Sequence, residues 1–177
     1  MTTERLVFSH SMEALYRALD PHTPAERAVF QKAGITGERF LPAYPVEVHI
    51  AVLDACASSR FAHLPELERY TEVGKLFFGG FEKTIVGSAL MAMMRVIGPR
   101  RTLDRITRNL RSANNFSEGV ITTLAPNRYH VRINYTVRPG FYLGLLESGC
   151  RVAGAKELSV TVVETKDLQT TYEVKWA

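Results

Sequence analysis

The stretch that decides the fold is residues 120–137, which read VITTLAPNRYHVRINYTV. Its first part is rich in β-branched residues, and from Tyr129 to Val137 apolar and polar residues alternate. An alternation with a period of two predicts a strand with one buried face. Residues 125–128, Ala-Pro-Asn-Arg, are typical of a turn, so the whole stretch predicts a β-hairpin.

The segments on either side of this hairpin complete the prediction. Residues 139–152 have helical periodicity, and 158–165 with 170–176 predict a second hairpin. Residues 9–113 show only patterns that predict helices. The predicted fold class is therefore α+β, with an N-terminal helical half (about 9–113) followed by a β-β-α-β-β antiparallel sheet backed by a helix (about 116–177). We expect one domain over residues 1–177.

Three features of the helical half bear on function. Gly79-Gly80 predicts a break or a kink in a helix. Residues 81–97 are apolar on most sides, which predicts a central helix buried on nearly all faces. Residues 99–113 predict one amphipathic helix after Gly98-Pro99, with Leu103, Ile106 and Leu110 pointing inward. Its arginines 101, 105 and 108 are expected to share an outward face.

Composition excludes several classes of protein. The chain has 177 residues, 46% of them hydrophobic, and no apolar run long enough to cross a membrane. The N-terminal residues carry no secretion signal, so we expect a cytoplasmic protein. Cys56 and Cys150 are too few for a disulfide framework or a zinc motif, and we expect buried thiols.

The net charge of +4 is localised, because six arginines and one aspartate fall within residues 95–111. A generally basic surface is therefore not expected, and no nucleic-acid reading motif is present. The chain also lacks a Gly-x-Ser-x-Gly elbow, a phosphate-binding loop and a helical pair of metal ligands. We expect no enzyme, no catalytic residue and no metal site.

Six landmarks fall in order along the chain. They resemble an uncharacterised paralogous family expanded in myxobacteria, for which no activity is established, so the resemblance implies no catalytic residue. The landmarks are Ser11-Met-Glu-Ala-Leu-Tyr-Arg-Ala-Leu19, Phe40-Leu-Pro-Ala-Tyr-Pro45, the helix from Gly74 to Gly79, Gly98-Pro-Arg-Arg101, Asn114-Asn-Phe-Ser-Glu-Gly119 and Tyr172-Glu-Val-Lys-Trp176.

The element order is also distantly similar to a superfamily of haem-based nitric oxide sensors, four-vinyl-reductase sensor domains and Golgi transport-particle subunits. This resemblance implies a ligand, a haem or an acyl chain between the two halves, and a role in sensing or assembly. For haem, His49 and His63 are the candidate axial ligands, with a structural role as the alternative. The Tyr-x-Ser-x-Arg clamp of the haem sensors is missing, and the cofactor stays unknown.

Our leading hypothesis is a non-enzymatic ligand-binding or sensory module that forms a homodimer. Phe77, Phe81, Met91 and Met94 are the candidate pocket residues, because methionine adapts to irregular ligands, and ordinary core packing is the alternative.

The alternative hypotheses use the arginines of the helix at 99–113. Arg101, Arg105 and Arg108 form a candidate anion site, either for an acidic protein partner of an interaction scaffold or for a cyclic dinucleotide. A merely solvated charged face is the remaining interpretation of these three residues.

Overall fold

A computed structural model describes residues 4–177 of the chain. Within that range the helices are α1 (Ser9–Ala18), α2 (Pro24–Lys32), α3 (Val46–Arg60), α4 (Glu66–Glu82), α5 (Ile85–Asp104), α6 (Ile106–Arg111) and α7 (Pro139–Val152). The strands are β1 (Leu6–Phe8), β2 (Ala43–Pro45), β3 (Gly119–Ala125), β4 (Arg128–Ile133), β5 (Ser159–Lys166) and β6 (Gln169–Lys175).

The C-terminal part forms a four-stranded antiparallel sheet in the order β3-β4-β6-β5. Its two hairpins turn at Asn127 and Asp167, which have φ values of 59° and 55°. Asn and Asp accept this left-handed conformation more readily than other side chains. Helix α7 lies between the two hairpins in the chain and packs on the sheet through Leu143, Leu146 and Cys150. The predicted α+β class is confirmed.

The predicted alternation in the second strand is confirmed for Tyr129, Val131 and Ile133, which are buried. The strand ends at Ile133, however, and Tyr135 lies beyond it. No pattern in the sequence indicated β1 and β2, which pair with each other and tie the N-terminus to the start of α3. Strands of three residues are too short to show a period.

Helix α4 is the central helix, and it contacts α7 backbone to backbone. A Cβ built on Gly144 would lie 2.2 Å from the carbonyl oxygen of Thr71, and one built on Gly74 would lie 2.2 Å from that of Phe141. On Gly140 it would lie 2.3 Å from the carbonyl oxygen of Leu67. No side chain fits in this contact, which we call the glycine seam.

The expected break or kink at Gly79-Gly80 is wrong in position, because α4 continues to Glu82 and the chain bends by 100° only between α4 and α5. Gly80 serves packing instead: a Cβ there would lie 2.4 Å from the carbonyl oxygen of Ala14 in α1. Glycine lowers helix propensity by only about 1 kcal/mol, and the contact with α1 outweighs this cost. The chain turns after Glu82, where Thr84 caps α5 by accepting a hydrogen bond from the Gly87 amide.

The expectation that residues 81–97 are buried on nearly all faces is also wrong. On α5 the buried face consists of Gly87, Met91 and Met94, whereas Ile85 is 90% and Val96 86% exposed. The helix carries apolar residues on two faces, but within this chain nothing covers the second apolar face in the described range.

The single amphipathic helix expected over residues 99–113 is interrupted. Gly98 has φ 80° inside α5, and Arg105, with φ −105° and ψ 15°, separates α5 from α6. Leu103 and Leu110 are nevertheless buried as the pattern predicted. Both cysteines are buried and free, as expected. Among residues 4–177, no helix is by itself long and apolar enough to span a membrane, although the bent pair of α4 and α5 passes the length and composition criteria together.

Candidate ligand-binding site

Two cavities lie between the helical half and the sheet. The larger of these two, which we call the large cavity, measures about 90 Å³ and lies where α4, α5, α6 and α7 meet the strand β4. Its wall is apolar apart from a few atoms. The four predicted pocket residues all line it: Phe77 and Phe81 from α4, and Met91 and Met94 from α5. Spacings of four and three residues place each pair on one helix face, and the two phenyl rings stack with centroids 5.8 Å apart. That these residues bind a ligand stays a prediction.

Two polar residues of the cavity wall escaped the sequence analysis. Thr102 and Asn109 line the large cavity, and neither the Thr102 Oγ1 nor the Asn109 Oδ1 has a hydrogen-bond partner. The Asn109 amide nitrogen donates to the Thr102 carbonyl oxygen at 3.2 Å, which ties the two residues together. The residues expected to point inward were Leu103, Ile106 and Leu110, so the sequence pattern did not single out Thr102 or Asn109.

A second cavity of about 50 Å³, the small cavity, adjoins the first and shares Phe77 and Tyr142 with it. His49 lines the small cavity between Phe77 and Phe141, with ring centroids 6.1 and 5.5 Å away. Burial lowers the pKa of His49 to about 4, so the imidazole is neutral at physiological pH. His63, the other histidine singled out, is exposed on a surface groove.

Two further titratable groups face the large cavity in their neutral forms. Burial raises the pKa of the Cys150 thiol to about 12, and burial likewise raises the pKa of Tyr142 to about 12. The Tyr142 hydroxyl lies 3.2 Å from the Ser117 Oγ. A protonated thiol is neither a good nucleophile nor a good metal ligand, so this wall offers contact surface rather than reactivity.

The three arginines of the candidate anion site are exposed, but they do not lie on one continuous helix. Arg101 belongs to α5, Arg108 to α6, and Arg105 to the break between them. The Arg105 guanidinium donates to the sulfur of Met93 at 3.4 Å. Anion binding by Arg101, Arg105 and Arg108 stays a prediction. The single helix on which that prediction was based is not present.

A polar cluster that the sequence analysis missed joins α3, α4 and the start of α7. Arg138 donates to both Asp54 carboxylate oxygens, at 2.8 and 2.7 Å, and the Tyr70 hydroxyl donates to the same carboxylate at 2.7 Å. Partial burial alone would raise the pKa of Asp54, but these hydrogen bonds hold it below its ordinary value. The partners are 16 and 84 positions away in the chain, so no local pattern could reveal the cluster.

The helical half, the sheet and the cavity between them define an α+β domain with the architecture of H-NOX domains. The Fe(II) unliganded H-NOX protein from K. algicida aligns with a TM-score of 0.64 at 12% identity, over 95% of this chain and 95% of that one. An oxygen-binding H-NOX domain related to soluble guanylate cyclases aligns with a TM-score of 0.56 at 16% identity, over 93% and 92%.

The chain belongs to the family described as "Protein of unknown function (DUF2378)", whose model matches residues 5–177. The expected membership of an uncharacterised family and the distant similarity to haem-based sensors are thereby confirmed. No curated protein matches the chain.

The fold suggests haem, but the residues do not fit it. Pockets for drug-sized ligands measure roughly 300–1,000 Å³, whereas the two cavities between the helices and the sheet measure about 90 and 50 Å³. The surface groove at His63 is larger, about 620 Å³, but it is open and lined largely by charged side chains such as Glu68, Lys75 and Glu147. His49 faces only the small cavity and is wedged between two phenyl rings. Arg138, which also lines the small cavity, is held in an ion pair with Asp54. For a metal ion held by side chains alone, which is a separate question from haem, residues 4–177 contain no group of three or more His, Cys, Asp or Glu side chains that could bind it.

Proposed function

We propose that this protein is a non-enzymatic, small-molecule-binding module of sensory type that holds its ligand in the large cavity. The observation that carries the proposal is the cavity itself, about 90 Å³ of space at the junction of the two halves. Protein interiors are packed as densely as organic crystals, so a space of this size is not a normal packing gap. It exceeds several-fold the volume needed to hold one water molecule.

The composition of the wall supports the same role. Met91 and Met94 have flexible, polarisable side chains that adapt to the shape of a guest, and Phe77 and Phe81 provide flat apolar surface. The likeness to an oxygen-binding H-NOX domain supports a small ligand in a fold of this type. This second argument is one of fold analogy and carries less weight.

The proposal is tested by NMR of protein labelled with ¹³C at the methionine methyl groups, of which the chain has five. We expect a small apolar probe such as furan to shift the signals of Met91 and Met94 at millimolar concentration. Met12 is equally buried but lines neither cavity, and its signal should stay in place. Uniform or absent shifts would contradict the proposal. A native mass spectrum of the freshly purified protein, recorded beforehand, would detect a retained natural ligand.

A second candidate role, association of two copies, is favoured by the outer face of α5. The apolar stripe there consists of Ile85, Ala89, Ala92 and Val96, with spacings of four, three and four residues. In an antiparallel pair this stripe is complementary to itself, because Ile85 meets the partner's Val96 and Ala89 meets the partner's Ala92. Self-complementarity is what a two-fold symmetric interface requires.

The homodimer is tested by light scattering during size-exclusion chromatography. We expect a dimeric mass for the wild type and a monomeric mass for Val96→Glu. Leu168→Glu, at the exposed tip of the second hairpin, is the matched control and should remain dimeric. A monomeric wild type would exclude the dimer but leave ligand binding untouched.

A further inference from the structure

The strand β3 lies at one edge of the sheet, and within residues 4–177 only β4 pairs with it. At the start of β3, hydrogen bonds show which way the backbone faces. Asn134 donates to the Glu118 carbonyl oxygen at 3.1 Å. At the next position, the Thr107 hydroxyl accepts from the Gly119 amide at 2.9 Å and donates to the Gly119 carbonyl oxygen at 2.8 Å. The peptide groups of Gly119 therefore point away from β4.

The direction of the other peptide groups in β3 follows from that of Gly119. In an antiparallel ladder, residues alternate between those that bond to the neighbouring strand and those that point away from it. Ile121 and Thr123 therefore point away from β4, as Gly119 does. Unlike Gly119, these two residues receive no hydrogen bond from another segment within residues 4–177. The edge thus offers two N–H donors and two C=O acceptors to a further strand.

The side chains of β3 do not protect this edge. Natural sheets shield an exposed edge with charged residues, with proline or by keeping the strand very short. The other edge strand, β5, carries Glu164 and Lys166, whereas the seven residues of β3 include no charged residue and no proline. Val120 is 51% and Leu124 43% exposed. Strand β3 is therefore suited to accept another strand.

The charge around β3 indicates what kind of strand would fit. Residues 100–132, from the end of α5 through β3 to β4, contain seven arginines and only two acidic residues. This segment is more positive than the whole chain, whose net charge is +4. Arg108 on α6 and Arg132 on β4 are exposed, and neither belongs to an ion pair within the described range. An acidic strand would meet opposite charge here, and a basic strand would be repelled.

We propose that β3 binds an acidic peptide segment of another protein, which adds to the sheet as a fifth, antiparallel strand. The backbone of the peptide exchanges hydrogen bonds with Ile121 and Thr123, and its acidic side chains pair with the arginines around β3, Arg108 and Arg132 among them. In strand addition of this kind, backbone bonds supply affinity and side chains supply specificity. The edge is separate from the large cavity, so this inference does not depend on the proposed function.

The test uses a fluorescently labelled peptide, Asp-Val-Thr-Val-Glu-Val-Thr-Asp, whose dissociation constant for the full chain is measured by fluorescence anisotropy. A second peptide with lysine at the three acidic positions is the control for charge. In the protein, Thr123→Pro removes an N–H that faces the peptide. Proline is tolerated on an edge strand where the N–H faces solvent, so the pairing with β4 should persist. Thr123→Val keeps the N–H and is the matched control.

We expect the wild type and Thr123→Val to bind the acidic peptide equally well. Thr123→Pro should bind it about tenfold more weakly, because a bond is lost and a peptide carbonyl is left unpaired. Arg132→Gln should weaken binding several-fold, and the lysine peptide should not bind. If Arg132→Gln weakened binding but Thr123→Pro did not, charge alone would hold the peptide, and the proposal would be overturned. Absence of binding to the wild type would also overturn it.

Two further measurements separate a lost site from a lost fold. Circular dichroism and urea denaturation check that Thr123→Pro is folded. Peptides that are N-methylated at alternate amides test the same bonds on wild-type protein: one of the two isomers should lose binding and the other should keep it. Equal affinities of the two isomers would contradict strand addition. If Thr123→Pro lowered the mass of the peptide-free protein in light scattering, a second copy would cover β3, and the proposal would be overturned.

Discussion

Helix α7 meets its neighbours in two different ways at its two ends. Near its start, Gly140 and Gly144 touch the backbone of α4, and a Cβ on Gly144 would lie 2.2 Å from a carbonyl oxygen. Near its end, Gly149 faces the large cavity, where the nearest atom to such a Cβ is the terminal methyl of Met94 at 3.1 Å. A backbone cannot yield, but a methionine side chain can. Glycine therefore leaves no room for a side chain in the glycine seam, whereas at the large cavity it faces a side chain that can move.

The largest effect should come from breaking the closed region. We expect Gly144→Ala to lower the free energy of unfolding by about 3 kcal/mol or more, because the new methyl group forces α4 and α7 apart. The measurement is urea denaturation followed by circular dichroism. Gly79→Ala in α4 is the control: it has no atom within 4 Å of its Cβ and should gain about 0.5–1 kcal/mol from helix propensity. If Gly144→Ala and Gly79→Ala changed the free energy of unfolding equally, the glycine seam would not be closed to side chains.

The pH dependence of stability tests the small cavity beside the seam. The pKa of His49 is about 4 in the folded protein, below its ordinary value of 6.5. As the pH falls, the unfolded chain therefore takes up this proton first. Above about pH 6.5 the titration of His49 therefore does not lower the free energy of unfolding. Between pH 6.5 and pH 5 this titration should lower it by about 2 kcal/mol. We expect His49→Leu to flatten the curve of unfolding free energy between pH 6.5 and 5. If His49→Leu left the slope of unfolding free energy against pH unchanged, the His49 imidazole would be in contact with water.

A smaller effect of opposite sign is expected at the large cavity. Thr102→Val replaces an unpaired buried hydroxyl by a methyl group, and in the ligand-free protein this should raise the unfolding free energy by about 1 kcal/mol. The readout is the urea midpoint at constant slope. Destabilisation would mean that the hydroxyl has a partner, such as bound water.

The smallest effect sharpens the comparison on α7 itself. Gly149→Ala should stabilise the protein by about 0.5 kcal/mol through helix propensity, since the Met94 methyl can move aside. The added methyl group takes up cavity volume, so furan should bind several-fold more weakly than to the wild type. A loss of stability similar to that of Gly144→Ala would show that the cavity wall is as rigid as the seam.

The element types could be predicted because they depend on local patterns. The alternation from Tyr129 to Ile133 and the turns of the two hairpins all act within a few residues, and the structure contains each of them. The order of the elements then restricted the fold to an α+β class.

What failed depends on contacts between distant residues. Gly80 looks like a helix breaker until Ala14 is seen packed against it, and the apolar outer face of α5 looks buried until its surroundings are known. The four pocket candidates could be chosen from composition and resemblance. The polar atoms of Thr102 and Asn109 could not, because a hydrogen bond that is missing has no sequence signature.

The glycine seam also has a consequence for synthesis of the chain on the ribosome. Gly74 and Thr71 pack against the backbone of α7, which follows about 70 residues later in the chain. At a translation rate of roughly 5–20 residues per second, α4 waits about 4–14 s for those partners. During that time its bare backbone face is open to chaperones or to the wrong helix. The nascent chain is thus most vulnerable after its central helix has emerged and before the first hairpin and α7 have followed.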